Sequence, residues 1–188
     1  MKIVKAMVAS LLLAALPLAA QAEGMSYSYI DLGYVETDID NGPTADGFGV
    51  RGSVGFAENY FVFAEYTDQD LRGVDIEQFA VGLGGHLGLS ETLDLVGRFG
   101  YLDAEVSAGG ASASADGYLV SAGLRGQVAE DFELEGHVIH RDLGNQGGDD
   151  TALSIGGRYF FTGQFALGLE YETSDDADTI FVGGRLSF

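Results

Sequence analysis

The chain has no cysteine among its 188 residues, so disulfide bonds cannot hold it together. An exported protein without disulfides depends on a packed core or on a closed, hydrogen-bonded sheet. Lysine occurs only at Lys2 and Lys5, and no apolar run long enough for a membrane helix (about 18 residues) follows residue 22. A helical membrane anchor in the mature chain is therefore excluded.

The first 22 residues have the pattern of a secretory signal peptide. Both lysines precede an apolar stretch from Met7 to Ala20, and the small-x-small sequence Ala20-Gln21-Ala22 ends it. This pattern predicts a signal peptide over 1–22 with cleavage after Ala22, and export of 23–188 as a single domain.

The charge balance is strongly acidic. Without the first 22 residues, seven arginines remain as the only permanently cationic side chains against 29 acidic residues. Such a surface repels the phosphates of nucleic acids and attracts cations or basic partners. Nucleic-acid binding is therefore excluded as a function.

Ten segments of alternating apolar and polar residues follow residue 25, and none has a helical period. Each is about ten residues long, which is the length of a tilted strand that crosses a bilayer. Short connections alternate with longer ones, as in transmembrane barrels. We therefore predict an all-β, closed antiparallel transmembrane barrel of ten strands, with eight as the alternative, and with both termini in the periplasm. The segments are 26–36, 47–56, 60–68, 76–87, 93–102, 117–128, 132–141, 151–161, 165–173 and 179–188.

The longest predicted connection is 103–117, which contains the glycine-rich sequence SAGGASASADG. Small and polar residues of this kind are typical of flexible loops. We expect a flexible outer loop there and find no sign of a second domain.

Alternation alone does not tell a lipid-facing apolar surface from the interior of a soluble, lipocalin-like barrel. Aromatic residues lie at both ends of the apolar face, and the polar face is rich in Gly and Ser but has no Lys or Asn. Two aromatic rings about ten residues apart are typical of an outer-membrane barrel. We therefore predict a barrel in the bacterial outer membrane. The loop-side ring is Tyr34, Phe48, Tyr66, Phe79, Tyr101, Tyr118 and Tyr171, and the turn-side ring is Phe56, Tyr60, Phe132, Tyr159, Phe161, Phe165 and Phe188.

Single arginines recur on the polar face, which becomes the lumen of the barrel. Hairpin geometry places Arg51 opposite Glu65 and Arg125 opposite Glu135. A guanidinium group can bond two carboxylates from different strands. The network is either a cross-linked plug or a charged filter for small ions and solutes. Its members are Arg51, Glu65, Arg98, Arg125, Glu133, Glu135, Arg141, Arg158, Glu170 and Arg185, with Asp31 and Glu172 nearby.

Hairpin geometry also predicts the register of the two strands on either side of Ser90. It sets Arg98 opposite Gly82 and Asp94 opposite His86.

The predicted outer loops hold 17 acidic residues, from Glu36 to Asp178. One interpretation is a solvated rim. The alternative is that carboxylate oxygens bind divalent cations and so bridge to lipopolysaccharide phosphates. The sequence DIDNGPTADG lacks the spacing of an EF-hand loop.

Enzymatic motifs are absent from the sequence. No GxSxG, HExxH, P-loop or Cys/His metal spacing occurs, and His137 with Ser154 on the neighbouring strand is the one dyad that can be imagined. We expect no enzymatic activity, no catalytic or metal-binding residue and no cofactor. The hypotheses are a structural or surface-interaction role, a narrow channel and, third, a lipid-modifying enzyme.

The C-terminal sequence FVGGRLSF resembles the signal by which the barrel-assembly machinery recognises outer-membrane barrels. Phe188, Leu186 and Gly183 carry the resemblance, while Phe181 stands where the family pattern prefers a polar residue. The resemblance implies the barrel-assembly machinery, outer-membrane lipid and lipopolysaccharide as partners.

Three stretches, EGMSYSYIDLGYVETDIDNGPTADGFGVRGSVGF, LVGRFGYLD and DGYLVSAGLR, resemble a family of small outer-membrane barrels from xanthomonads and their relatives. Some members have been described as secreted immune activators or quorum-signalling factors. The resemblance implies a porin-like fold and an outer-membrane location, and it transfers no catalytic motif.

Overall fold

The computed structural model describes residues 25–188, apart from the side chains of residues 145 and 146, so the predicted signal peptide lies outside the described residues. Ten strands close into one antiparallel barrel, in which β1 also pairs with β10. The ten-stranded prediction is confirmed, and the eight-stranded alternative is wrong. The strands are β1 (Tyr29–Ile39), β2 (Thr44–Ala57), β3 (Tyr60–Asp70), β4 (Asp75–Ser90), β5 (Leu93–Ala108), β6 (Ala111–Ala129), β7 (Phe132–Asp142), β8 (Asp149–Phe160), β9 (Phe165–Thr173) and β10 (Ala177–Ser187).

One four-residue helix, α1 (Gly144–Gly147), lies between β7 and β8. In the part of the chain from residue 25 onward, no helix is long and apolar enough to cross a membrane.

The barrel has two ends of different character. The turn end carries the connections at 58–59, 91–92, 130–131 and 161–164, and the loop end carries those at 40–43, 71–74, 109–110, 143–148 and 174–176. The first strand starts at the turn end and the last strand ends there, so both described chain ends lie at the turn end. They are in contact, since Phe188 N donates to Ser28 O.

Along every strand, one residue in two points away from the lumen. Large apolar side chains occupy these outward positions, so the outer surface is apolar. Large apolar side chains such as Leu32, Phe99, Ile155 and Leu167 are more than half exposed in the isolated barrel. The aromatic residues of both predicted rings lie on this face, and neighbouring members contact one another, as Phe48 and Tyr66 do at the loop end and Phe56 and Tyr60 do at the turn end.

The flexible loop expected over 103–117 is mostly strand. β5 and β6 continue to Ala108 and from Ala111, so only Gly109 and Gly110 connect them. Both glycines have positive φ, 58° and 87°, as a two-residue hairpin turn requires. The stretch lacks large apolar side chains because it extends beyond the apolar band, and its composition therefore resembled that of a loop.

The acidic residues that the sequence pattern places in the outer loops lie mainly on strands. Side chains of alternating acids, as in Asp68-Gln69-Asp70, share one face of an extended strand. The register then sets several acids directly opposite each other: Asp46 faces both Glu36 and Asp70, and Glu77 faces both Asp68 and Glu105. We call these outward acids above the loop-side aromatic ring the acidic collar; it comprises Glu36, Asp38, Asp46, Asp68, Asp70, Asp75, Glu77, Glu105, Asp116, Asp142, Asp149 and Asp178. Asp103 shares this face but is only 2% exposed.

The predicted register is confirmed in two hairpins and wrong in a third. Arg51 lies opposite Glu65, and Arg125 lies opposite Glu135. Asp94, however, pairs with Gly88 and not with His86, and Arg98 pairs with Gly84 and not with Gly82. The β4–β5 turn is centred on residues 91–92, next to an irregularity between Gly88 and Ser90, which shifts the pairing by two residues.

The apolar core lies inside the barrel, along β3 to β6. Glycine on the neighbouring strand makes room for its rings, since a Cβ atom on Gly84, the cross-strand neighbour of Phe61, would overlap the Phe61 ring. The cluster comprises Phe61, Phe63, Ala80, Val96, Leu102 and Leu119, with Tyr27 and Leu143 packed against it.

Candidate functional site: the charge-paired lumen

The arginines noted in the sequence point into the lumen, because each lies at an inward position of its strand. Arg125, Arg158 and Arg185 are buried, and each makes an ion pair with an acid from another strand. Each of the ten predicted network residues takes part in at least one ion pair. The pairs are Arg51–Glu170, Arg98–Glu65, Arg125–Glu133, Arg141–Glu172, Arg158–Glu135 and Arg185–Asp31, and Arg141 also approaches Asp150.

The pair Asp31–Arg185 joins the first strand to the last. Arg185 Nε donates to Asp31 Oδ1 and Nη2 donates to Oδ2, each at 2.7 Å, so the contact is bidentate. Both side chains are almost fully buried, at 4% and 3% exposed. A buried bidentate pair of this kind holds β1 and β10 in one register, which is where the barrel closes.

Two further pairs link neighbouring strands at the turn end. Arg125 donates from Nε and Nη2 to Glu133 Oε2, at 3.0 and 2.7 Å, and Arg158 donates from Nη2 to Glu135 Oε1. The partners are diagonal, since the residue opposite Arg125 is Glu135. Each arginine thus bonds an acid two residues away from its cross-strand neighbour.

The middle of the lumen is crossed by pairs that reach past intervening strands. Arg51 on β2 donates from Nη1 to Glu170 Oε2 on β9 at 2.9 Å, although Glu65 is its cross-strand neighbour. Arg98 on β5 bonds Glu65 on β3 and donates from Nε to Ser121 Oγ at 3.1 Å. The two ion pairs cross-link strands that share no backbone hydrogen bonds, whereas Ser121 lies opposite Arg98 on the neighbouring strand.

Aromatic rings inside the lumen cover four of the arginines. The guanidinium carbon of Arg185 is 3.5 Å from the centre of the Tyr29 ring, and that of Arg51 is 4.3 Å from the centre of the Phe181 ring. Arg98 and Arg125 lie over Phe63 and Tyr27 in the same way. A ring face attracts a cation while it excludes water, which accounts for arginine among aromatic residues in these strands.

Phe181 and Gly183, both from the C-terminal motif, fit together in the lumen. A Cβ atom on Gly183 would lie 2.7 Å from the Phe181 ring, so the glycine leaves the space that the ring occupies. Phe181 is buried below the guanidinium group of Arg51. The departure from the polar residue of the family pattern therefore has a packing role here.

Tyr27 fills the turn end of the lumen, a position that sequence reasoning missed. Its ring stacks on His86 at 4.0 Å and on Phe61 at 5.1 Å between centres. Its hydroxyl group donates to Asp94 Oδ2 at 2.8 Å, and Ser53 Oγ donates to its backbone oxygen at 2.7 Å. The signal was present in the sequence, because Tyr27, Tyr29 and Asp31 share one parity and so one face.

The space left in the lumen is divided unequally. A cavity of about 70 Å³ lies towards the turn end, and its lining includes Tyr27 and Arg125. A cavity of about 380 Å³ lies towards the loop end, and we call it the cup. Arg51, Glu65, Arg98 and Arg141 line both, so the ion pairs lie between the two spaces.

The lining of the cup has an apolar side and a polar side. The apolar residues include Ile76, Ala80, Leu102, Leu119, Ile139 and Leu143. On the other side, Gln69 Nε2 donates to Thr37 Oγ1 at 3.0 Å, and the hydroxyl groups of Thr37 and Thr179 lie 3.0 Å apart.

The histidines do not assemble a recognisable catalytic set. His137 lies opposite Ser154 on β8, as the sequence predicts, and no hydrogen bond to its Nδ1 atom occurs among the described residues. His140 lies on the outer face, 2.9 Å from Thr151 Oγ1. Within residues 25–188, no group of three or more His, Cys, Asp or Glu residues could hold a metal ion.

The family model of the outer membrane protein beta-barrel domain matches residues 7–184. No curated protein sequence matches the chain. Among solved structures the chain is similar to the NanC porin, at 10% identity with 85% of this chain and 100% of that chain covered and a TM-score of 0.54. It is also similar to the KdgM porin (12% identity, 84% and 99% covered, TM-score 0.48) and to Ail, the attachment invasion locus protein of Yersinia pestis (17% identity, 87% and 100% covered, TM-score 0.41). At these identities the likeness concerns the fold alone.

Proposed function

The chain belongs to the family of outer membrane protein β-barrel domains, and from this premise we propose that it is a non-enzymatic barrel with a structural or surface-interaction role and a lumen that does not conduct. The protein is located in the bacterial outer membrane. Its turn end faces the periplasm in this proposal, and its loop end faces the cell exterior.

The observation that carries the proposal is the network of ion pairs across the lumen. Arg51–Glu170 and Arg98–Glu65 span the interior between non-adjacent strands, and Tyr27 fills the turn end. An open pore would need its charged groups along the wall, where ions could pass between them. Here the charges bond each other across the space, and small barrels are generally filled by their own side chains.

The alternative is a narrow channel for small ions or solutes. It is favoured by the cup, because a wide outer cavity above a charged constriction is also the form of a selective pore. Conductance of the refolded protein in a planar lipid bilayer separates the two. The proposal predicts no reproducible current steps, and a stable open current that scales with salt concentration would overturn it.

The acidic collar supports an interaction at the outer surface of the membrane. Directly opposed carboxylates repel each other, and divalent cations would relieve this repulsion while bridging to lipopolysaccharide phosphates. We therefore include Ca²⁺ and Mg²⁺ at the loop end as proposed partners, each held jointly by an opposed pair of carboxylates and by lipid phosphates, because the described residues form no larger metal-binding group. A calcium titration followed by heat-modifiable gel mobility tests this part, and an unchanged melting temperature up to millimolar calcium would contradict it.

Assembly is proposed to proceed through the barrel-assembly machinery, with the C-terminal motif as its recognition signal. The narrower resemblance to the xanthomonad family of small barrels belongs to the same proposal. Both rest on sequence patterns. Deletion of Leu186 to Phe188 tests the signal, and loss of insertion into the host membrane is the expected result.

A further inference from the structure

The cup has the size and composition of a small-molecule site. Ligand pockets commonly occupy about 300–1,000 Å³ and combine apolar walls with a few polar groups. The cup, at about 380 Å³, lies in this range and combines an apolar side with the hydrogen-bonding side chains of Thr37, Gln69 and Thr179. Its lining extends to Gly147 and Gly148 before β8 and to Ser174 and Asp176 before β10, so it lies at the loop end of the barrel.

The charged residues around the cup indicate the sign of the charge that a ligand would carry. Three arginines and five acids line it, and since Asp149 lies at an outward position of β8, the inward side chains leave an excess of one negative charge. The three arginines make ion pairs with Glu65, Glu170, Glu172 and Asp150, and Asp176 is not among these partners. The acidic collar around the same end adds to the negative potential, which attracts cations and repels anions.

The apolar wall indicates the body of the ligand. Leu102 and Leu119 belong to the buried core cluster, and Leu143, just before α1, packs against this cluster. A ligand with an aromatic or branched aliphatic body would bury apolar area against these side chains.

We propose that the cup binds a small organic cation with an apolar body, such as an aromatic or alkyl amine or a quaternary ammonium compound. The apolar body contacts the wall around Leu119 and Leu143, and the cationic group lies towards Asp176. This inference goes beyond the surface role proposed above. It does not depend on whether the lumen conducts, because the cup lies on the loop side of the ion pairs.

Methyl NMR of the full barrel in lipid nanodiscs tests the proposal with benzyltrimethylammonium as the probe. We expect saturable shifts of the Leu102, Leu119 and Ile139 methyl groups, with the lipid-facing Leu32 and Leu167 methyl groups unchanged. Benzenesulfonate should bind on the order of tenfold or more weakly, and the affinity for the cation should fall as salt rises. Benzyl alcohol, which is neutral, should bind at an affinity between the two.

Two matched pairs of variants localise the site. Asp176→Asn should weaken binding of the cation by about two- to fivefold. Asp175→Asn in the same loop should leave the affinity unchanged, because Asp175 does not line the cup. Leu143→Ser should weaken binding of the cation by about three- to tenfold, and Leu71→Ser in another loop is the control.

Equal binding of the cation and the anion, or shifts confined to lipid-facing methyl groups, would overturn the proposal. So would equal effects of the members of each variant pair. The methyl spectrum of each free variant reports its fold, so a loss of binding through unfolding is recognised.

Discussion

The turn-end and loop-end halves of the lumen are built from the same strands, yet they are filled in opposite ways. The turn-end half holds Tyr27, Arg125 and the pair Asp31–Arg185, and its cavity is about 70 Å³. The loop-end half has threonine, glutamine and aliphatic residues such as Leu102 and Leu119, and its cavity is about 380 Å³. Long arginine and aromatic side chains bond across the turn-end half, whereas the aliphatic and neutral polar side chains leave the centre of the loop-end half open.

This contrast follows from the cost of burying charge. A lone buried charge is strongly unfavourable, so each arginine deep in the lumen requires carboxylates nearby, and those partners also occupy volume. The threonine and glutamine side chains on the polar side of the cup are neutral and need no such partners. The lumen is therefore narrow where its charges are buried and wider where its polar groups are neutral.

The largest effect is expected at the strand seam. Arg185→Ala would leave Asp31 buried without its bidentate partner, and the free energy of unfolding should fall by about 3–5 kcal/mol. Urea unfolding in detergent micelles, read by heat-modifiable mobility, measures this. Arg72→Ala in the exposed β3–β4 loop is the control, with an expected change within about 0.5 kcal/mol.

The double variant Asp31→Leu with Arg185→Met sharpens the same point. If the cost comes from the unpaired charge, replacing both partners by apolar side chains should recover most of the lost stability. A double variant as unstable as Arg185→Ala would mean that the seam depends on the ion pair itself.

A second effect is expected where rings lie flat on the lumen wall. Gly84→Ala would place a Cβ atom within the Phe61 ring, and the repacking should destabilise the barrel by about 1–3 kcal/mol. Gly97→Ala is the matched control, because the nearest atom to its added Cβ is 3.9 Å away. Equal unfolding midpoints for the two variants would argue against tight packing at the turn end.

A smaller effect is expected for the polar side of the cup. Gln69→Leu would remove the hydrogen bond to Thr37, at a cost of about 1 kcal/mol or less because the bond joins two neutral groups and Thr37 keeps its contact with Thr179. Unfolding measurements on this variant beside Arg185→Ala compare the halves directly. A loss at Gln69 as large as the loss at Arg185 would contradict the distinction between them.

The smallest effect is expected in the acidic collar, and its sign is opposite. Asp46 faces Glu36 on one side and Asp70 on the other, so Asp46→Asn should stabilise the barrel by about 0.2–1 kcal/mol at low salt. The gain should vanish near 1 M salt, because surface charges are then screened. Glu91→Gln in the exposed β4–β5 turn is the control, and a gain at Asp46 that is insensitive to salt would exclude charge repulsion as its cause.

Sequence alone was sufficient for the strand count, the outward apolar face and the inward arginines, because these depend on period-2 alternation and on parity. It also gave the Arg51–Glu65 register, since a tight hairpin sets the opposing residues by simple counting. It did not give the partner of Arg51, which bonds Glu170 and not Glu65. That contact depends on how the closed sheet curves and staggers, and no local pattern encodes this.

Two errors have the same physical origin. The sequence pattern predicts loops for the end of the β5–β6 hairpin and for the collar acids, because strand prediction relies on apolar side chains. Strand segments beyond the membrane pair their backbones without apolar side chains, so composition does not mark where they end. The alternation of Asp103, Glu105 and Ser107 was the remaining sign of a strand.

The central claim is that the lumen is open at the loop end and closed beyond the ion pairs. Because the chain has no cysteine, single-cysteine variants report this directly when a water-soluble maleimide is added to the folded barrel. Gln78→Cys lines the cup, and Ser154→Cys lies among the ion pairs at a position only 2% exposed. The account predicts rapid labelling of Gln78→Cys and labelling of Ser154→Cys only after unfolding. Comparable labelling rates at both positions in the folded barrel would contradict it.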